Sequence, residues 1–335
     1  MTSGSPVKLI LGFAAPMLLG MILQQIYSMV DSMIVGQYLG VDAFAGVGST
    51  GSINFMIIGF CMGVCNGIAI PVAQRFGAQD RHGLRCYVAN GVWLALLLAV
   101  VFTVLVCVLC RQILIWMQTP NNILDYAEDY IFIIFLGIPA TILYDLLSAL
   151  IRALGDSRTP VVFLALAALL NVALDLLFII TFGMGVEGAA IATVISQLCS
   201  GLACLAYIAK KFPLLVPRKQ DWRFRPRYFK NLCGMGIPMG LQYSITAIGS
   251  VILQTAVNGL GSAAVAAVSA GNRVSNFACC PFDALGSTMA TYVGQNLGAG
   301  KIRRVKTGLS CGCAIGFAYS VVAAVVLGLF GSYTA

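Results

Sequence analysis

Apolar residues run along the chain in nine long blocks, at about 9–38, 44–73, 87–110, 126–148, 160–182, 187–209, 232–258, 263–293 and 306–330. Each is long enough for a bilayer core, which takes roughly 20 apolar residues of helix. Short polar turns with Gly, Pro or Asn separate them. The longest blocks predict tilted helices or helix ends that project beyond the hydrocarbon. The pattern therefore predicts an all-α polytopic membrane protein of about nine transmembrane helices. No cleavage site follows the first block, which continues into a full span and reads as a helix, not a signal peptide.

The pattern also repeats itself. Val72-Ala73-Gln74-Arg75-Phe76-Gly77-Ala78 returns 221 positions later as Val293-Gly294-Gln295-Asn296-Leu297-Gly298-Ala299. The same offset carries Leu39-Gly40 onto Leu260-Gly261. An offset of 222 carries Gly12, Pro16, Met17 and Leu19 onto Gly234, Pro238, Met239 and Leu241. Internal repeats in a membrane protein are the mark of a transporter. Six spans per copy is an even number, so both copies enter the membrane in the same direction. The expected architecture is two six-helix lobes related by a parallel pseudo-two-fold repeat. The first lobe covers 1–211, a cytoplasmic linker covers 212–229, and the second lobe covers 230–335 with only its first three helices. Completing it takes about three more helices and roughly 110 residues by the repeat period. The coding sequence is thus expected to continue past Ala335, and the isolated chain is expected not to transport.

Charge placement gives the orientation. Of the 20 Lys and Arg residues, 18 fall in loops on one side of the predicted topology, eight of them between Lys210 and Lys230. Arg111 lies in an opposite-side loop and Arg273 inside span eight. By the positive-inside rule the N-terminus is cytoplasmic, and the protein is multi-pass in the cell membrane. Apolar residues are 59%, charged residues 10% and mean hydropathy +0.92, values that exclude a soluble domain. The net charge of +8 follows loop topology alone, so no nucleic-acid partner is indicated.

The 12 cysteines and the single histidine add little chemistry. Cys61 and Cys65 lie one helical turn apart, Cys107 and Cys110 form a C-x-x-C pattern, and Cys311 and Cys313 point to different helix faces. They read as small packing residues. His82 sits in a basic loop, so neither a metal site nor His-based catalysis is indicated. With no nucleophile elbow, phosphate-binding loop or nucleotide motif, the chain reads as neither an enzyme nor an ATPase. No cofactor is expected, and an ion gradient is the expected driving force.

Carboxylates inside apolar spans each cost about 2.5–3.5 kcal/mol on insertion scales and need a reason. Asp31, Asp145, Asp175 and Asp283 are in that position. Asp145 lies near the cytoplasmic end of span four, where snorkelling accounts for it. Asp31 and Asp175 each lie about 10 Å below the outer end of their spans at the rise of an α-helix. Asn171 is one turn below Asp175 on the same face, and Thr193 and Tyr130 fall at similar depths. Gln24, Tyr27, Ser28 and Asp31 form one polar stripe on span one, and Thr193, Ser196, Gln197 and Ser200 form another on span six. Such stripes are expected to face each other across the lobe interior. A purely structural polar network is the alternative, but packing needs amides and hydroxyls and does not need two acids. Two carboxyls in one poorly hydrated pocket cannot both ionise cheaply and titrate as a pair. They suit either proton exchange or, with Asn171 and Thr193, the hard oxygen ligation of a small cation. Arg273 and Asp283, about 15 Å apart on span eight, are candidates for substrate contact or gating.

Pro16…Gln24…Asp31…Gly36…Leu39-Gly40, Gln74-x-x-Gly77-Ala78, Arg152-Ala153-Leu154-Gly155-Asp156, Asn171-x-x-x-Asp175 and Gly294-Gln295-Asn296-Leu297-Gly298-Ala299 together resemble the multidrug and toxic compound extrusion (MATE) family over essentially the whole chain. The resemblance implies twelve helices in two lobes and export of amphipathic, often cationic compounds in exchange for Na⁺ or H⁺. It implies a first-lobe cation site at Asp31, Asn171, Asp175 and Thr193 with Tyr130 in support, and helix bending at Pro16. It also implies a role for Gln24 in substrate contact or gating, a monomer, and small amphipathic molecules and membrane lipid as partners. Gln242 stands where one branch carries an acid, which places the chain nearer the branch named for the DNA-damage-inducible F protein. A flippase or exporter for lipid-linked saccharides shares the superfold and is the alternative reading, with Arg273 as its support. A non-transporting receptor or scaffold is disfavoured by the repeat and the acid layer.

Overall fold

The computed structural model describes residues 1–258 and 262–334. Among the described residues the structure is helical throughout, with seven helices long and apolar enough to cross a bilayer and an eighth if one bent pair counts as a span. The helix α1 (Pro6–Leu39) runs without interruption through Pro16. Proline offers no N–H there, so the Gly12 carbonyl loses its helical partner. Gly40, at φ 89°, ends α1 and begins α2 (Val41–Ser49).

The second apolar block is two helices. Ser49 Oγ donates to the Gly46 carbonyl and Thr50 Oγ1 to the Val47 carbonyl, both at 2.7 Å, so side-chain hydroxyls compete with the helical ladder. The chain restarts as α3 (Gly51–Gly77). The helix α4 (Arg81–Trp116) follows, capped by Asp80, whose Oδ1 accepts from Gly83 N at 2.8 Å. The fourth block is likewise divided, into α5 (Asn121–Leu136) and α6 (Ile138–Ala153), which meet at 48° around Gly137 and Pro139. A Cβ at Gly137 would strike Val194. Beyond it lie α7 (Arg158–Leu176), a π-helical extension over Leu177–Thr181, and α8 (Val186–Lys211). A short 3₁₀ turn (Lys219–Trp222) leads to α9 (Pro226–Asn258), α10 (Ser262–Gly298) and α11 (Ile302–Thr334). Large apolar side chains such as Val108, Leu169 and Phe317 face outward, the surface a bilayer covers.

The helix α3 packs against α4, α6, α9 and α10. Its seam with α9 is made of glycines. A Cβ on Gly67 would fall 2.5 Å from Gly236 Cα, and one on Gly63 would fall 2.6 Å from the Met239 carbonyl oxygen. Small residues at this spacing let two helices come backbone to backbone, where dispersion and not the hydrophobic effect holds them in lipid. The repeat-related seam joins α1 to α10: Ala284 and Thr288, the counterparts of Gly63 and Gly67, meet Met17, the counterpart of Met239. Where α3 and α10 cross, the repeated motif packs on its own copy. A Cβ on Gly77 would collide with the Gln295 carbonyl, and one on Gly298 with the Gln74 carbonyl.

One end of the bundle carries Met1, the 152–158 turn, the linker and the 299–301 turn. Gln295 ties this basic end together, accepting from the Met1 amine at 2.8 Å and donating to the Ala153 carbonyl at 2.8 Å. At the far end Arg111 pairs with Glu128 and, at 3.6 Å, with Asp125.

Candidate functional site

Two polar centres occupy the interior. The first lies toward the far end, where α1, α5, α7 and α8 converge. The helix α1 supplies Asp31 and Tyr27, α5 supplies Tyr130, α7 supplies Asn171 and Asp175, and α8 supplies Thr193. Asp175 and Asn171 are fully buried and Asp31 and Tyr130 nearly so. Asp175 sits at the last turn of regular α7, just before the π-helical extension, a distortion often found at functional sites.

The contacts among these groups are direct. The Asn171 amide satisfies both its ends when its nitrogen donates to Asp175 Oδ2 at 3.0 Å and its oxygen accepts from Thr193 N at 3.2 Å and Thr193 Oγ1 at 3.3 Å. Tyr27 donates its hydroxyl to Thr193 Oγ1 at 3.5 Å. The carboxyl groups of Asp31 and Asp175 are neighbours across the packed helices α1 and α7. Two carboxyls bond directly only when one carries a proton. Asp31 Oδ1 and Asp175 Oδ1 are buried and have no hydrogen-bond partner among the described residues. Buried oxygens left open in this way are costly unless a proton or a cation meets them. The layer can therefore either share a proton between two acids or, with the Asn171 amide turned so that its nitrogen meets Thr193 Oγ1, offer carboxylate and amide oxygens to a small cation.

All five residues expected in the cation layer are thus brought together: Asp31, Tyr130, Asn171, Asp175 and Thr193. The two stripes do not face each other along their whole length. The α8 stripe is inside, with Ser196 and Ser200 buried. On α1, Tyr27 and Asp31 turn inward, whereas Gln24 and Ser28 are exposed. The contact between α1 and α8 is short, so α1 positions a turn away from the Tyr27–Thr193 crossing stay uncovered.

The second centre is a cavity of about 320 Å³ between the repeats, closer to the basic end. Asn66, Arg152, Gln242, Tyr243, Asp283 and Thr291 line it. Arg152 donates to Asn66 Oδ1 and Ser148 Oγ, both at 3.1 Å. Asp283 faces this space and takes no part in the acid layer, while Arg273 lies outside the residues whose side chains are described. Asp145 does not snorkel to a surface. It is half-buried on α6, the helix that packs against α3. Sequence reasoning passed over Asn66 and treated Arg152 only as part of a motif. An amide in the otherwise apolar run of α3 was the available signal.

The MatE family profile matches residues 16–177 and 238–335. Probable multidrug resistance protein YpnP of Bacillus subtilis (strain 168) is 32% identical over 306 residues, covering 91% of this chain and 68% of its own length. Probable multidrug resistance protein YoeA of the same organism is 30% identical over 325 residues, covering 95% of this chain and 70% of its own. A crystal structure of MATE in the bent conformation superposes with a TM-score of 0.92 at 23% identity, over 99% of this chain and 74% of that one, a likeness of fold.

Proposed function

This chain belongs to the MatE family of membrane transporters, and we propose that it serves secondary active efflux, exchanging Na⁺ or H⁺ for amphipathic organic cations. The observation that carries this reading is the facing pair Asp31 and Asp175, each with a buried carboxyl oxygen that has no partner among the described residues. With its amide turned the other way, its nitrogen donating to Thr193 Oγ1 at 3.3 Å, Asn171 presents an oxygen beside Asp175 and completes a set of oxygens of the type a small cation takes. Organic cargo is met in the cavity between the repeats, where Asp283, Tyr243 and Gln242 offer charge, ring and amide. The basic end is cytoplasmic, by the positive-inside rule.

Exchange requires that ion and cargo disfavour one another's binding, and linkage makes that effect reciprocal. Binding of a fluorescent organic cation to the purified chain is therefore expected to weaken when Na⁺ is added or when pH is lowered. Binding indifferent to both overturns the reading. Arg152 in the cavity is the observation that favours a second reading, an exporter of anionic, lipid-linked saccharides. Preferential binding of a pyrophosphate-linked lipid over an organic cation would select it.

A further inference from the structure

The linker that joins the repeats is basic, yet its one acid is not paired with any Lys or Arg among the described residues. Asp221 is almost fully buried, and its single ion-pair partner there is His82, with His82 Nδ1 3.3 Å from Asp221 Oδ1. The same carboxylate oxygen lies 3.9 Å from the Cys86 sulfur. His82 and Cys86 are one helical turn apart at the start of α4, and Sγ lies 4.0 Å from His82 Nδ1. An imidazole nitrogen, a thiol sulfur and a carboxylate oxygen thus form a triangle with sides of 3.3, 3.9 and 4.0 Å. Ligands placed tetrahedrally around Zn²⁺ at about 2.0–2.3 Å stand about 3.3–3.6 Å from one another. Sγ also lies 3.7 Å from His82 Nε2, so closing the triangle onto an ion takes a turn of the exposed imidazole that points Nδ1 at the metal.

We propose that His82, Cys86 and Asp221 form a transition-metal site, for Zn²⁺ or an ion of similar character, that fastens the inter-repeat linker to α4. The donor set of one nitrogen, one sulfur and one oxygen suits a borderline-soft ion and not Na⁺, Mg²⁺ or Ca²⁺. The remaining carboxylate oxygen, Asp221 Oδ2, accepts from Arg218 N at 2.9 Å, which fixes the direction in which Oδ1 points. Cys86 is buried, whereas the His82 side chain is 62% exposed and leaves an entry path and a fourth position for water. The surrounding linker is already docked: Arg225 N donates to Asn90 Oδ1 at 3.0 Å, and Trp93 Nε1 donates to the Trp222 carbonyl at 3.1 Å. The metal would add a coordinate bond across 135 residues of chain, between elements otherwise joined by hydrogen bonds and ring contacts. This site is separate from the acid layer and stands or falls without it.

Co²⁺ titration of the purified 335-residue chain tests the site, because cobalt bound to a thiolate gives a charge-transfer absorption. One Co²⁺ per chain is expected, with that absorption, with quenching of tryptophan emission from neighbouring Trp222, and with release of the cobalt by Zn²⁺. Cys86→Ser is expected to lose the charge-transfer band, while Cys199→Ser keeps it. His82→Gln, at an exposed position where folding is not at stake, is expected to weaken binding about tenfold or more. No charge-transfer band in the unmodified chain, a band that survives Cys86→Ser, or unchanged affinity in His82→Gln overturns the proposal.

Discussion

The two copies of the repeat can be compared along their first helices, α1 and α9. They share Gly12 with Gly234, Pro16 with Pro238 and Met17 with Met239, and the shared methionines pack in both copies. Met17 meets Ala284 and Thr288, while Met239 meets Gly63 across the related seam. The copies part company higher up. Asp31 corresponds to Ile252 or Leu253, depending on where the one-residue insertion falls, and both are exposed apolar residues. Packing positions are thus held in both halves because the halves pack on each other, whereas Asp31 on α1 has no acidic counterpart on α9.

The comparison breaks most visibly at the acids. Asp31→Asn and Asp175→Asn should each remove the ion dependence of efflux, a coupling worth about 5–150-fold. Fluorescent-cation efflux from vesicles measures it, with membrane expression as the control. Folding should survive, since each variant has one carboxyl fewer to bury. Ion-driven efflux at the parent rate in both variants would make the layer structural.

Next in size is the crossing of the repeated motif. Gly77→Leu drives a side chain into the Gln295 backbone, which cannot swing away, so destabilisation of at least about 1–3 kcal/mol is expected. A lowered thermal midpoint in detergent checks it, and an unchanged midpoint would deny the close approach of α3 and α10. Asn171→Ala deletes a neutral ligand and about 0.5–1.5 kcal/mol of hydrogen bonding, so Na⁺ affinity should drop about two- to tenfold while proton uptake persists. Loss of proton uptake in that variant would tie the amide to the titrating pair itself. Smallest is Asp283→Asn. Its carboxylate lines an open cavity, so organic-cation affinity should change by no more than about 1 kcal/mol. The ion dependence should not move at all. Should this variant alone abolish coupling, the ion site belongs to the second repeat.

Much of this was legible in the chain before any coordinates. Eight of the nine apolar blocks coincide with helices or helix pairs that pass the length and hydropathy test. The remaining block, 263–293, lies within α10. The interruptions at Thr50 and Gly137 were hidden because hydropathy does not register a hydroxyl turned back on its own helix or a bend at Gly-Ile-Pro. The acid layer was readable because depth along a helix is simple arithmetic: Asp31 and Asp175 share one depth, Thr193 falls close to it, and Asn171 is one turn below Asp175. Which members of a stripe turn inward was not readable, since Gln24 and Ser28 depend on where α8 crosses α1. The central cavity was partly hidden for a related reason: Asn66, Arg152 and Gln242 come from three helices that only the fold brings together. His82 and Cys86 are neighbours on one helix, but nothing local points from them to Asp221.

The central claim is that an ion and an organic cation compete through Asp31 and Asp175. It is tested most directly by measuring organic-cation affinity across a series of Na⁺ concentrations and pH values. The parent, the Asp31→Asn/Asp175→Asn double variant and Asp283→Asn are compared side by side. The account predicts affinity that falls with added Na⁺ or H⁺ in the parent and in Asp283→Asn, and a flat response in the double variant. A double variant that retains the parent's full ion dependence would contradict it.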